Sequence, residues 1–216
     1  MKHQQSGFTL VEIAIVLVII GLLLGGVLKG QELINSAKAK SYAQDFRTIQ
    51  SALYGFQDRF KGIPGDLAGA SGATGKISGA TNSGNGNGQI EGAWDGGAAT
   101  EACNAWQHMR LAGFLAGNTT VNCTLGDPYV QINADGGRIG ISSTMYITGM
   151  TGSYNICSTG VLGKIAKQLD TQLDDGDSTT GSFRVAALVA GAPPAGPVAA
   201  VTPVDDATSY TVCLAF

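Results

Sequence analysis

The sequence predicts an α+β chain: one long amino-terminal helix followed by a head of short strands and short helices. Three patterns carry that expectation. Residues 8–28, FTLVEIAIVLVIIGLLLGGVL, are an apolar run broken by a single charge, Glu12. Beyond it Tyr42, Phe46, Ile49, Leu53, Phe56 and Phe60 fall at alternating steps of four and three, a stripe on one helical face. After Pro64 that period is lost. Short runs rich in Tyr, Val and Ile then alternate with Gly and Asp, as strands joined by turns do.

The elements follow in order. Residues 1–7, MKHQQSG, are a short polar leader. The apolar run has about the length a helix needs to cross a bilayer core. An acid at the centre of such a helix costs roughly 2.5–3.5 kcal/mol, so Glu12 reads as a working charge. Gly21, Gly25 and Gly26 weaken this half, each by about 1 kcal/mol relative to alanine. Residues 31–40 hold good helix formers and no proline. From Tyr42 the apolar stripe faces a core, with Asp45, Thr48, Gln50, Gln57 and Arg59 on the opposite side. Pro64, flanked by glycine, ends the pattern. A single helix is therefore predicted over 8–60, apolar all round in its first half and amphipathic in its second.

In the head, residues 69–97 are rich in Gly, Ser, Asn and Thr and read as a long surface loop. A short helix is expected over 98–113, with Ala102, Trp106, Met109 and Ala112 inward. Strands are expected at 129–132, 138–141, 145–147 and 154–157, and a helix over 161–173. Asp174-Asp175-Gly176-Asp177 turns the chain into a strand at 183–189. A Pro/Ala-rich connection over 190–206 leads to a terminal strand at 210–216. Four parts follow: leader 1–7, apolar helix half 8–28, amphipathic half 29–61 and head 62–216.

At 216 residues the chain can hold one moderate domain plus the extended helix. Loss of the leader removes Lys2 and moves the formal net charge from −3 to −4. That gives no general attraction for nucleic acid or anionic lipid. Cys103, Cys123, Cys157 and Cys213 all follow the apolar run, an even count that fits disulfides on an exported side. Chain order favours Cys103–Cys123 and Cys157–Cys213. Lys2 and the initiating amine place the amino end in the cytoplasm and the head outside.

The leader and the run after it, MKHQQSG/FTLVEIAIVLVIIG, resemble the amino terminus of type IV pilins and pseudopilins. A secretory signal has a shorter apolar region with its cut behind it, which this chain does not follow. The resemblance implies that a prepilin peptidase of the membrane cuts after Gly7 and methylates the new amino terminus at Phe8. Glu12 is then the family's acid. It also implies the pilin fold, a long helix packed on an antiparallel β-sheet, and no enzymatic activity or cofactor. The implied role is a structural subunit of a type IV pilus, held in the bacterial cytoplasmic membrane until inner-membrane machinery polymerises it with its own copies into an extracellular filament. Alternatives are a periplasmic pseudopilin of a type II secretion system and a minor tip pilin or adhesin. GNGNGQIEGAW, AWQHMRLAGFLAG and KQLDTQLDDGDSTTG are similar to segments of a large-headed subgroup. Many members carry proline where this chain has Lys29, so the extent of helix melting around residues 21–26 stays open.

Among the candidate sites, Glu12 ranks first: in a stacked array it would pair with the Phe8 amine of a neighbour, offsetting both desolvation costs. Residues 82–91 have the rhythm of a calcium loop. Ser83, Asn85 and Asn87 supply no carboxylate, however, and the closing acid is out of place, so a flexible linker is expected there. Asp174, Asp175 and Asp177 form a second oxygen-rich turn, able to hold a cation or simply to cap a helix end. His108 is the one histidine beyond the leader, and no nucleophile elbow, phosphate loop or zinc spacing accompanies it.

Overall fold

A computed structural model describes residues 9–97, 100–187 and 197–216. The amino-terminal helix α1 runs Leu10–Phe60 without interruption. It is followed by α2 (Glu101–Leu111), β1 (Ile139–Ser142), β2 (Asn155–Leu162), α3 (Gly163–Leu173), β3 (Phe183–Ala187) and β4 (Ser209–Ala215). The strands form one antiparallel sheet in the order β1-β2-β4-β3. The chain divides into two compact units, Met1–Ala37 and Lys38–Phe216. Long helix and antiparallel sheet together make the fold α+β.

Within the second unit, α1 buries Tyr42, Phe46, Ile49, Leu53 and Phe56. The sheet answers with period-two alternation, because successive strand side chains point to opposite faces. Ile156, Phe183, Val185, Val212 and Leu214 join the helix in one apolar cluster. Their neighbours Cys157, Ala186, Cys213 and Ala215 point the other way, into a second cluster with Trp94, Tyr146, Ile147 and Met150. Phe46 meets Phe183 edge-on, with ring centroids 6.2 Å apart. The sheet is thus covered on both faces, by α1 on one side and by loop residues on the other.

Two disulfides brace the head. Cys157 and Cys213 lie directly opposite each other in the β2–β4 register and are bonded. Cys103 of α2 is bonded to Cys123 in the loop that follows it.

Several local expectations need correction. Residues 129–132 and 145–147 are not strands; Ile132 and Ile147 make only isolated bridges, to Arg138 and Val198. Tyr129, Val130, Tyr146 and Ile147 are buried, and the Tyr129 hydroxyl accepts from the Gln107 N–H at 3.0 Å and donates to the Cys103 carbonyl at 2.7 Å. Val161 and Leu162 belong to β2 rather than to the helix after it, because β2 runs on past a register shift to pair with Tyr210 and Ser209. The stretch 69–97 has no regular element, yet Ile77, Ile90 and Trp94 are buried, so it is part of the core and not only a surface loop. Of the strand expected at 183–189, residues 188 and 189 lie outside the described residues, as do residues 190–196 of the connection that follows.

Candidate functional site

Residues 10–29 are all exposed, a continuous apolar surface along the first unit's helix. Leu10, Leu17, Leu22, Leu23 and Leu28 are each more than 60% exposed. This one helix is long and apolar enough to cross a membrane. Within that surface Glu12 is the sole charged side chain before Lys29.

Glu12 sits in the first turn, and the sequence around it explains its geometry. Thr9 precedes the helix, and its backbone N–H donates to Glu12 Oε2 at 2.8 Å. The Thr9 hydroxyl donates to the same oxygen at 2.7 Å, while the Glu12 N–H donates back to Thr9 Oγ1 at 3.3 Å. This is a capping box, in which Thr-x-x-Glu reciprocally satisfies two donors that a helix start leaves open. Thr9 is the residue that attention to Glu12 alone overlooks; its signal, the T-x-x-E spacing before an apolar run, is plain in FTLVE. The box holds one carboxylate oxygen at the helix's amino end. Gly7 and Phe8, the expected cleavage and methylation positions, lie outside the described residues.

The remaining candidates are built into the head. His108 is fully buried on α2. Its Nδ1 accepts the Gly65 N–H at 2.9 Å, which leaves Nε2 to donate to the Asn82 carbonyl at 3.0 Å. Burial pushes its pKa down, against the pull of that carbonyl. The imidazole therefore joins two loops to α2 as a neutral group, a structural task. Arg110, two residues further along the helix, is also buried and donates to the carbonyls of Asn118 and Tyr129 and to Gln131 Oε1. Its guanidinium lies over the Tyr129 ring, 4.9 Å from the centroid. Burial lowers the Arg110 pKa and pushes the Tyr129 phenol up to about 12.

The acidic turn after α3 groups differently from the expected trio. Asp170, Asp174 and Asp175 bring carboxylate oxygens within 4.8 Å of one another. Asp177 instead turns to the Thr179 N–H and hydroxyl. Most of these oxygens are engaged by the turn itself: Asp174 accepts the Phe183 N–H, and Asp175 accepts the Asp177 N–H and the Thr180 hydroxyl. Asp170 is 1% exposed, and burial pushes its pKa up to about 6. A cation held there would displace bonds that already shape the turn.

The 82–91 loop is anchored, not a free linker. Asp66, itself buried, takes backbone N–H groups from Gly86, Asn87 and Gly88. The candidate calcium-ligand oxygens serve turns: Asn85 Oδ1 accepts the Asn87 N–H, and Asn87 Oδ1 accepts the Gln89 N–H. Ser83 Oγ accepts the Ser71 N–H.

Among known families, the model of the prokaryotic N-terminal methylation motif matches residues 2–28. No curated protein matches the chain.

Proposed function

We propose that this chain, whose prokaryotic N-terminal methylation motif supports a pilin-like or pseudopilin precursor and implies processing by a prepilin peptidase and assembly machinery, is a structural subunit of a type IV pilus. Cleavage after Gly7 exposes the amine of Phe8, which is methylated, and the chain polymerises through its amino-terminal helix. One observation carries this reading: residues 10–29 present an exposed apolar surface whose one early charge is Glu12. Such a surface is stable in lipid or against copies of itself. Left in water it would cost about 25 cal/mol for each Å². Lipid is as apolar as a neighbouring helix, so leaving the bilayer gains little hydrophobic energy. The machinery supplies the extraction, and mutual burial keeps the subunits together outside.

Glu12 gives the array its stagger. One carboxylate oxygen is held by Thr9, and the other, without a hydrogen-bond partner among the described residues, would meet the Phe8 amine of a neighbouring copy. A buried charge without its partner costs roughly 3–5 kcal/mol, so axial offsets that miss the pair are disfavoured. The head, braced by two disulfides, forms the outer surface.

Mass spectrometry of filaments sheared from cells tests the assignment. Abundant mature chain in extracellular filaments supports the pilus. Chain confined to the periplasm and needed for protein secretion would move it to the pseudopilins, and trace stoichiometry in filaments of another subunit would make it a minor tip protein.

A further inference from the structure

The chain has two Asn-Gly pairs, Asn85-Gly86 and Asn87-Gly88, placed back to back. Both glycines have positive φ, +78° and +89°, a conformation that side chains resist, so the turn itself calls for glycine. That requirement brings a chemical liability. In an Asn-Gly pair the glycine nitrogen can attack the asparagine Cγ with little steric hindrance. The N–Cγ bond forms, the Cγ–Nδ2 bond breaks, and ammonia leaves, giving a cyclic imide. Water then opens the ring to aspartate or isoaspartate.

The loop blocks each part of this reaction. The two nucleophilic nitrogens are held by one carboxylate: Gly86 N–H donates to Asp66 Oδ1 at 2.6 Å, and Gly88 N–H donates to Asp66 Oδ2 at 2.8 Å. An N–H bound to a carboxylate is harder to deprotonate, because the resulting anion would face a negative charge. The two amides are clamped at both ends. Their oxygens accept the N–H groups of Asn87 and Gln89. Their nitrogens donate to the two oxygens of Glu91, Asn85 Nδ2 at 2.9 Å and Asn87 Nδ2 at 2.8 Å. Turning either Cγ toward the next nitrogen breaks several bonds at once, most of them to charged acceptors.

We propose that Asn85 and Asn87 are latent deamidation sites, and that Asp66 and Glu91 form a guard that keeps them closed in the folded head. The guard stands whether or not the chain polymerises. Its failure adds negative charge beside Asp66, Glu91 and Glu101, which repels the carboxylates that shape the loop. An isoaspartate would also lengthen the backbone inside a turn.

The test is peptide mapping by mass spectrometry of the full-length chain in detergent, aged at mildly alkaline pH. In the native chain Asn85 and Asn87 should deamidate at least about tenfold more slowly than in the reduced, urea-unfolded chain, the factor expected for one hydrogen bond to a charged group. Asp66→Ala should speed both sites while Asn118 and Asn122 keep their native rates, and Glu91→Gln should give a smaller rise. Equal rates in native and unfolded chain would overturn the guard. So would slower deamidation in folded Asp66→Ala, since Asp66 would then be acting as a base. Should Asp66→Ala fail to fold, which parallel acceleration at Asn118 and Asn122 reveals, the native-against-unfolded comparison and Glu91→Gln still decide.

Discussion

Glu12 and His108 are both ionisable groups in apolar surroundings, yet they have opposite tasks. Glu12 is exposed on a helix stretch that has no packing partner among the described residues of its own unit, so its charge is available to another chain. Glu12→Ala should leave membrane insertion and cleavage intact while filament yield falls by an order of magnitude or more, consistent with roughly 3–5 kcal/mol for an orphaned partner; immunoblots of sheared filaments against membranes measure this. A bulky change, Gly7→Val, should instead stop cleavage, and the intact mass of the membrane form reads it directly. His108 is buried and neutral, with a pKa below its unfolded value. Folding therefore releases protons, and its contribution is complete above the unfolded pKa of about 6.5 and lost as pH falls toward the folded one. Urea titrations of the full chain, followed by Trp fluorescence, should show stability falling with acid in that range. His108→Gln should flatten the slope. The sequence marked Glu12 because a lone acid in an apolar run is conspicuous. It gave no sign of what His108 touches, since Gly65 and Asn82 reach it from distant loops.

Element by element, the long helix and the acidic turn depend on different forces. Period alone marked the buried stripe of α1, and Tyr42, Phe46, Ile49, Leu53 and Phe56 are buried as that stripe requires. Phe56 is fully buried among Phe60, Phe114 and His108. Phe56→Ala should cost about 3–5 kcal/mol of head stability in the same titration. The short strands were harder to read. A run of three or four apolar residues fits a strand or a packed loop equally well, and at 129–132 the burial of Tyr129 against α2 decided for the loop. The turn after α3 responds to pH in the opposite sense. Asp170 has its pKa raised from 3.8 to about 6, so the folded state binds the extra proton. Its contribution is complete below 3.8 and is lost as pH rises through about 6. Asp170→Asn should remove that loss and raise stability at neutral pH by up to about 2–3 kcal/mol.

For the molecule as a whole, the sequence separates two solvents. Residues 10–28 of the first unit suit lipid or other helices, and the second unit closes its own core around a four-stranded sheet. Cys157–Cys213 joins adjacent strands at the sheet's centre and Cys103–Cys123 ties down a loop, so the head is suited to an oxidising exterior. Reduction of both should cost about 2–5 kcal/mol for each bond, read as a lowered urea midpoint. The leader and apolar run were legible because membrane chemistry permits few patterns. The loop scaffold around Asp66 was not, because it depends on hydrogen bonds between residues about twenty positions apart. Intact-mass and amino-terminal analysis of sheared surface filaments bears most directly on polymerisation through this helix. A dominant subunit beginning at N-methylated Phe8 is the expected finding. A chain that keeps Met1 and stays monomeric in the membrane would refute it.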